Sequence, residues 1–198
     1  MKVWFFIICG LMIAGCSTPD QKESGTRQQG TTTGITKEWT NPEFPFSDFA
    51  DSVTAVAKKN GFDTLAVNGT REITDFSRHF YVSKIIAKGE INKADTGMIV
   101  FLYNVTLKSN SVKKPDSPDM TADIYCFADT ASCLFWKKQL KKLYHQSGGE
   151  PLKELYYLED FGNILLHTTT RAFMWEGELD AFHEACVKFM NNLSATER

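Results

Sequence analysis

Between residues 46 and 194 the spacing of apolar positions changes several times, and each change marks an element. Phe49, Val53 and Val56 fall on one helical face, and Ser47 and Asp48 ahead of them offer side-chain oxygens to the first backbone N–H groups. Lys58, Lys59 and Asn60 sit in the last turn of that helix and Gly61 stops it. A short strand is expected over 62–68 and two longer ones over 80–91 and 98–107. The run Met98-Ile99-Val100-Phe101-Leu102-Tyr103 is apolar on both faces, the mark of a central strand. The polar residues 108–119 form a surface loop, and 122–127 is a further strand. A second helix is expected over 130–146, stopped by Gly148-Gly149. Residues 152–158 and 164–175, rich in β-branched and aromatic side chains, form a hairpin about 160–163. The last helix, 178–193, carries Leu179, Phe182, Cys186, Phe189 and Leu193 at steps of three and four. Acidic residues lead it and Lys188 comes late, in keeping with the helix dipole.

The order α-β-β-β-β-α-β-β-α predicts an α+β domain, an antiparallel sheet with helices packed mainly on one face. It is similar to the element order of the type III secretion chaperone-like fold, α-β-β-β-α-β-β-α, with one strand more here. No motif residues carry that resemblance, and fold analogy assigns no function.

Ahead of the domain the pattern is of another kind. Lys2 is followed by the apolar run Val3–Ala14, a positive n-region and an h-region of signal-peptide length. Twelve residues at 1.5 Å rise reach about 18 Å, too short for the ~30 Å hydrocarbon core of a bilayer. Ile13-Ala14-Gly15-Cys16 follows at the end of the run. Small residues at 14 and 15 leave the backbone open to a peptidase, and the thiol at 16 is the strong nucleophile that could take a lipid. This sequence resembles the lipobox of bacterial lipoproteins. The resemblance implies a diacylglyceryl thioether on Cys16, cleavage before it and acylation of the new amine. The alternative is an ordinary secretory signal with a chance cysteine. Several acyl chains on one residue would make a lasting anchor. Ser17 follows, in place of Asp; its resemblance to enterobacterial sorting rules implies the outer membrane, facing the periplasm, in a Gram-negative cell.

Residues 17–41 are Ser, Thr, Gln, Gly, Lys and Glu with almost no apolar content, a composition that cannot offset its ordering entropy. Such a tether has an r.m.s. reach of about 25–30 Å. Trp39, Phe44 and Phe46 around two prolines mark where the chain docks. The expected organisation is a signal peptide over 1–15, a lipidated cysteine and tether over 16–43, one α+β domain over 44–194 and a tail over 195–198.

Composition narrows function mainly by exclusion. The chain has 198 residues, 42% hydrophobic and 23% charged, as in an ordinary globular protein. Without residues 1–15, which hold one charge (Lys2), the 22 basic and 24 acidic residues leave 21 − 24 = −3. No global basic field exists for nucleic acid. A core from ~150 residues is large enough to fold without metal or disulfides.

Three cysteines remain in the domain. Cys126 ends a strand and Cys133 starts the following helix, so the two are candidates for a disulfide; Cys133 and Cys186, on the buried faces of their helices, are another pair. Buried free thiols are the competing reading. His79, His145, His167 and His183 contain no i, i+4 pair, and Cys-x-x-Cys is absent from the sequence, so no metal site or cofactor is assigned. His183, Glu184 and Cys186 do not converge on a helix. Asp160-Phe161-Gly162 spells a kinase triplet but stands alone, as a hairpin turn. Asn68, Asn104 and Asn192 begin chance glycosylation sequons. Lys137, Lys138, Lys141 and Lys142, with His145 a turn later, form a cluster that is either a solvated face or a contact for anionic head groups or an acidic partner. The leading expectation is a lipid-anchored envelope protein whose domain serves as a non-catalytic interaction or assembly module for an envelope partner. A small-molecule or lipid binder with a pocket between sheet and helices is the alternative, and a hydrolase with dispersed catalytic residues the third.

Overall fold

The computed structural model describes residues 38–39, 44–59, 65–72, 75–109, 119–145, 154–171 and 176–196. The signal peptide, Cys16, most of the tether, Gly61, most of the 108–119 loop, Gly148-Gly149 and the end of the tail lie outside them. The elements are α1 (Phe46–Lys59), β1 (Leu65–Glu72), α2 (Phe80–Ala87), β2 (Ile99–Ser109), β3 (Asp119–Phe127), α3 (Thr130–His145), β4 (Leu155–Phe161), β5 (Ile164–Thr170) and α4 (Glu176–Thr196). The strands form one antiparallel sheet in the order β1-β2-β3-β5-β4. The α+β class and the antiparallel sheet are those expected.

One segment differs from the sequence reading. Residues 80–87 form α2 and not a strand. Val82, Ile85 and Ile86 gave the segment a β-branched look, yet Tyr81, Val82 and Ile85 are buried at helical spacing while Phe80 is exposed. The helix ends at Lys88, and Gly89 follows with φ 70°, the left-handed conformation that closes a helix.

The helices also occupy both faces of the sheet. Because side chains alternate along a strand, Met120, Ala122, Ile124 and Cys126 of β3 enter one core with α1 and α4. Tyr125 and Phe127 enter a second core with α2 and α3. β5 divides the same way, Ile164 and Leu166 against Leu165, and all its residues are buried. Central strands apolar on both sides require cover on both sides.

The α4 stripe is as the spacing predicts, with Leu179, Phe182 and Cys186 in the first core and Phe189 and Leu193 packed against it. Asp129 caps α3, its Oδ1 accepting from Ser132 N–H over 2.7 Å. At the other end of the folded chain Trp39 is only 3% exposed. The docked backbone therefore reaches back to Trp39, ahead of the expected boundary at 44.

Candidate functional site

Asp123 sits in the middle of β3, directly opposite Asn104 on β2 and His167 on β5. Three polar side chains thus stand in one row across the central strands. The row points to the α2–α3 side, since Leu102, Tyr125 and Leu165, two residues along, line that core. His79 reaches the same point from outside the sheet, in extended backbone (φ −64°, ψ 137°) just before α2. Its Nε2 lies 3.2 Å from Asp123 Oδ1, and Asn104 Nδ2 donates to the same oxygen over 2.7 Å. His167 Nδ1 is 3.7 Å from Asp123 Oδ2, and its Nε2 is 2.8 Å from the Tyr144 hydroxyl. The Tyr125 hydroxyl is 3.4 Å from His79 Nδ1. Tyr81 packs edge-on against His167 and donates its O–H to Glu154 Oε2 over 2.7 Å.

One assignment of protons satisfies this network. His79 donates Nε2–H to the carboxylate and accepts Tyr125 O–H at Nδ1. His167 accepts Tyr144 O–H at Nε2, which turns its Nδ1–H toward Asp123 Oδ2. Those last two atoms have no closer partner among the described residues, so the contact is electrostatic and longer than a hydrogen bond. Burial by itself would raise the pKa of Asp123. The adjacent imidazoles of His79 and His167 outweigh it and hold the carboxyl well below its usual range.

A carboxylate orienting a histidine is the proton-handling half of a hydrolytic triad. The hydroxyl beside His79, however, belongs to Tyr125, and burial together with the Asp123 charge pushes its pKa well up. Tyr81 and Tyr144 are shifted the same way, chiefly by burial. The arrangement is that of a buried polar brace clamping α2 and α3 to the sheet. Among the described residues no group of three His, Cys, Asp or Glu is placed to hold a metal ion.

The thiols lie elsewhere. Cys126 belongs to the α1–α4 core and Cys133 to the α2–α3 core, so the sheet separates their side chains. The candidate Cys126–Cys133 bridge is not formed: both are free thiols, as is Cys186, in line with the competing reading of buried thiols. Cys133 and Cys186 are kept apart in the same way, because successive β3 side chains leave opposite faces and each core takes one helix pair. Burial pushes the Cys126 thiol up to about 11. Burial and then the Asp160 charge push Cys133 up to about 12, and burial raises Cys186 further.

The lysine cluster divides. Lys137 is buried and reaches Asp160 on β4, and Lys142 pairs with Glu90. Lys138 is exposed, Lys141 half-buried and His145 exposed, with its Nε2 2.7 Å from the Tyr156 hydroxyl. The four lysines, read from the sequence either as a solvated face or as a contact patch, therefore do not form one surface, because the helix buries Lys137 toward Asp160. What the sequence reading passed over is the apolar half of the same outer face. Leu134 is 50% exposed and Phe135 36%. The signal was present: both fall outside the stripe of Cys133, Trp136, Leu140 and Leu143.

On α4, His183 and Cys186 face inward and Glu184 faces solvent. His183 Nδ1 is 2.9 Å from Thr168 Oγ1, and its ring stacks on Tyr157. Burial lowers its pKa to about 4, against the opposing charge of Asp180.

No family model, curated protein or solved structure matches this chain. Among the described residues no helix is long and apolar enough to cross a membrane.

Proposed function

We propose that the protein is a lipid-anchored lipoprotein of the cell envelope, whose α+β domain is a non-catalytic interaction or assembly module. The anchor reading is supported by Ile13-Ala14-Gly15-Cys16 at the end of a short apolar run. The observation that carries the module reading is the direction of the chemistry. His79, His167 and His183 each hold a ring nitrogen against an internal partner, and the thiols are buried with raised pKa values. Large apolar side chains on α3 meanwhile face outward. The alternative, a pocket between sheet and helices, has to contend with Trp136, Tyr125, Phe127 and Leu140, which are fully buried in that space.

Growth with labelled palmitate tests the anchor: the protein incorporates label and the Cys16→Ser variant does not. In a Gram-negative cell the labelled protein fractionates with the outer membrane, as Ser17 implies. Crosslinking in the native membrane tests the module. A partner held through α3 supports it, whereas a co-purified small molecule in the folded domain with no partner overturns it.

A further inference from the structure

The chain enters the domain at one end of the sheet. Asn163, in the β4–β5 turn, binds the Trp39 backbone, and the same side chain donates to Phe127 O over 2.7 Å at the end of β3. Two residues after Phe127, Asp129 caps α3. Leu134 and Phe135 lie on the second turn of that helix, about 7 Å along it from Thr130. Exposed Val100 stands at this end too, beside Ile99, which pairs with Phe127. Val100, Leu134 and Phe135 are thus exposed toward the end of the sheet at which Trp39 docks, with Trp39 itself in the α1–α4 core and α3 on the other face.

Behind them on the helix one lysine of the four, Lys138, is exposed. Lys138 follows Leu134 by four residues and Phe135 by three, so all three share one face. Asp160 takes up Lys137 and Glu90 takes up Lys142. Lys141 lies beside Glu159, and Lys138 is exposed. An exposed apolar pair followed by an exposed lysine is chemistry that suits a lipid interface. Residues 17–38 are the length of chain that separates Cys16 from docked Trp39 and ties this end of the domain to the lipid.

We infer that the outer face of α3, led by Leu134 and Phe135 and backed by Lys138, lies on the anionic lipid surface to which Cys16 tethers the domain. This rests on the lipoprotein reading and adds an orientation to it: the domain rests on the membrane by its α3 edge and does not swing freely above it.

The test uses the mature lipidated chain in vesicles of phosphatidylethanolamine and phosphatidylglycerol. A nitroxide is placed at Phe135→Cys and, separately, at Glu184→Cys, an exposed position on α4 across the sheet. The native thiols are buried and react slowly by comparison. The expected result is an oxygen-to-nickel collision ratio several-fold higher at 135 than at 184, falling when phosphatidylglycerol is omitted. Adding Leu134→Ser and Lys138→Glu to the 135-labelled chain brings its ratio down to that at 184. Equal ratios at both positions, with the protein still on the vesicles, overturn the inference and leave the anchor standing. Insertion that ignores phosphatidylglycerol overturns the anionic assignment. Spin–spin broadening between 135 labels overturns it in favour of a second copy of this chain. A chain without acyl mass that never floats with vesicles overturns the lipoprotein reading itself, and this inference with it.

Discussion

Asn163 holds the backbone of Trp39 with both ends of its amide, from 124 positions away in the chain: Oδ1 accepts from Trp39 N–H over 2.7 Å and Nδ2 donates to Trp39 O over 2.8 Å. Nδ2 also reaches Phe127 O, and Asn163 O accepts from Phe127 N–H over 2.9 Å. A turn residue thereby ties the start of the domain to the end of a central strand. Gly162, with φ 65°, makes the tight turn that presents it.

Asn163→Ala leaves the buried amide groups of Trp39 and the Phe127 carbonyl without this partner. Each such group costs about 1–3 kcal/mol, so a loss of roughly 2–4 kcal/mol is expected. Urea unfolding measures it as a lower midpoint at unchanged slope. Proteolysis of the native variant near Trp39 should quicken as well. A midpoint within error of the parent would mean the clamp is idle.

Asp123→Ala removes the acceptor for His79 and Asn104 and the charge facing His167, and is expected to destabilise by about 3–5 kcal/mol. Asp123→Asn keeps the shape and loses less. The pH dependence follows from the lowered pKa. The carboxylate's contribution is fully present above the unfolded value of about 3.9 and is lost as pH falls toward the folded one. Denaturation midpoints of Asp123→Ala should therefore fall less steeply than the parent's below about pH 4. Parallel acid limbs would contradict the network.

His183 acts at milder acidity. Its folded pKa of about 4 lies below the ordinary 6.5, so the unfolded chain takes up the proton first. Stability from this group is complete above pH 6.5 and declines as pH drops toward 4, by roughly 3 kcal/mol in all. His183→Gln should flatten that part of the stability curve. If the variant keeps the parent's slope between those pH values, the burial of a neutral imidazole is not its cause.

Thiol chemistry gives a fourth expectation. With Cys126, Cys133 and Cys186 buried and their pKa values raised by that burial, the thiolate is scarce at neutral pH. An aromatic disulfide reagent should titrate these three thiols only after denaturation, at a native rate slower by orders of magnitude. Rapid labelling of one thiol in the native state would locate an opening that the packing does not suggest. Finding only one thiol after denaturation would mean a disulfide has formed.

Elements whose apolar period is long and even were legible in advance. The α4 stripe, the hairpin of β4 and β5 and the extent of α3 follow from local spacing, because each element buries the face its own sequence makes apolar. Residues 80–87 were not. Val82, Ile85 and Ile86 satisfy a strand pattern as well as a helical one, and packing against α3 and the sheet decided between them. The row of Asn104, Asp123 and His167 was hidden for a different reason. Strand register alone brings residues from β2, β3 and β5 side by side, and no local window contains it.

By itself the sequence determined the composition of each element, the short apolar run ahead of Cys16 and the apolar character of both faces of the strand through 98–103. Those are properties of neighbours along the chain. Only the tertiary structure decided that Cys126 and Cys133 stand on opposite sides of a sheet, that Lys137 turns inward to Asp160 while Leu134 and Phe135 face out, and that His79 meets Asp123. The physical reason is that burial and pairing depend on which faces meet, and a face acquires its partner only when strands take their register and helices choose a side.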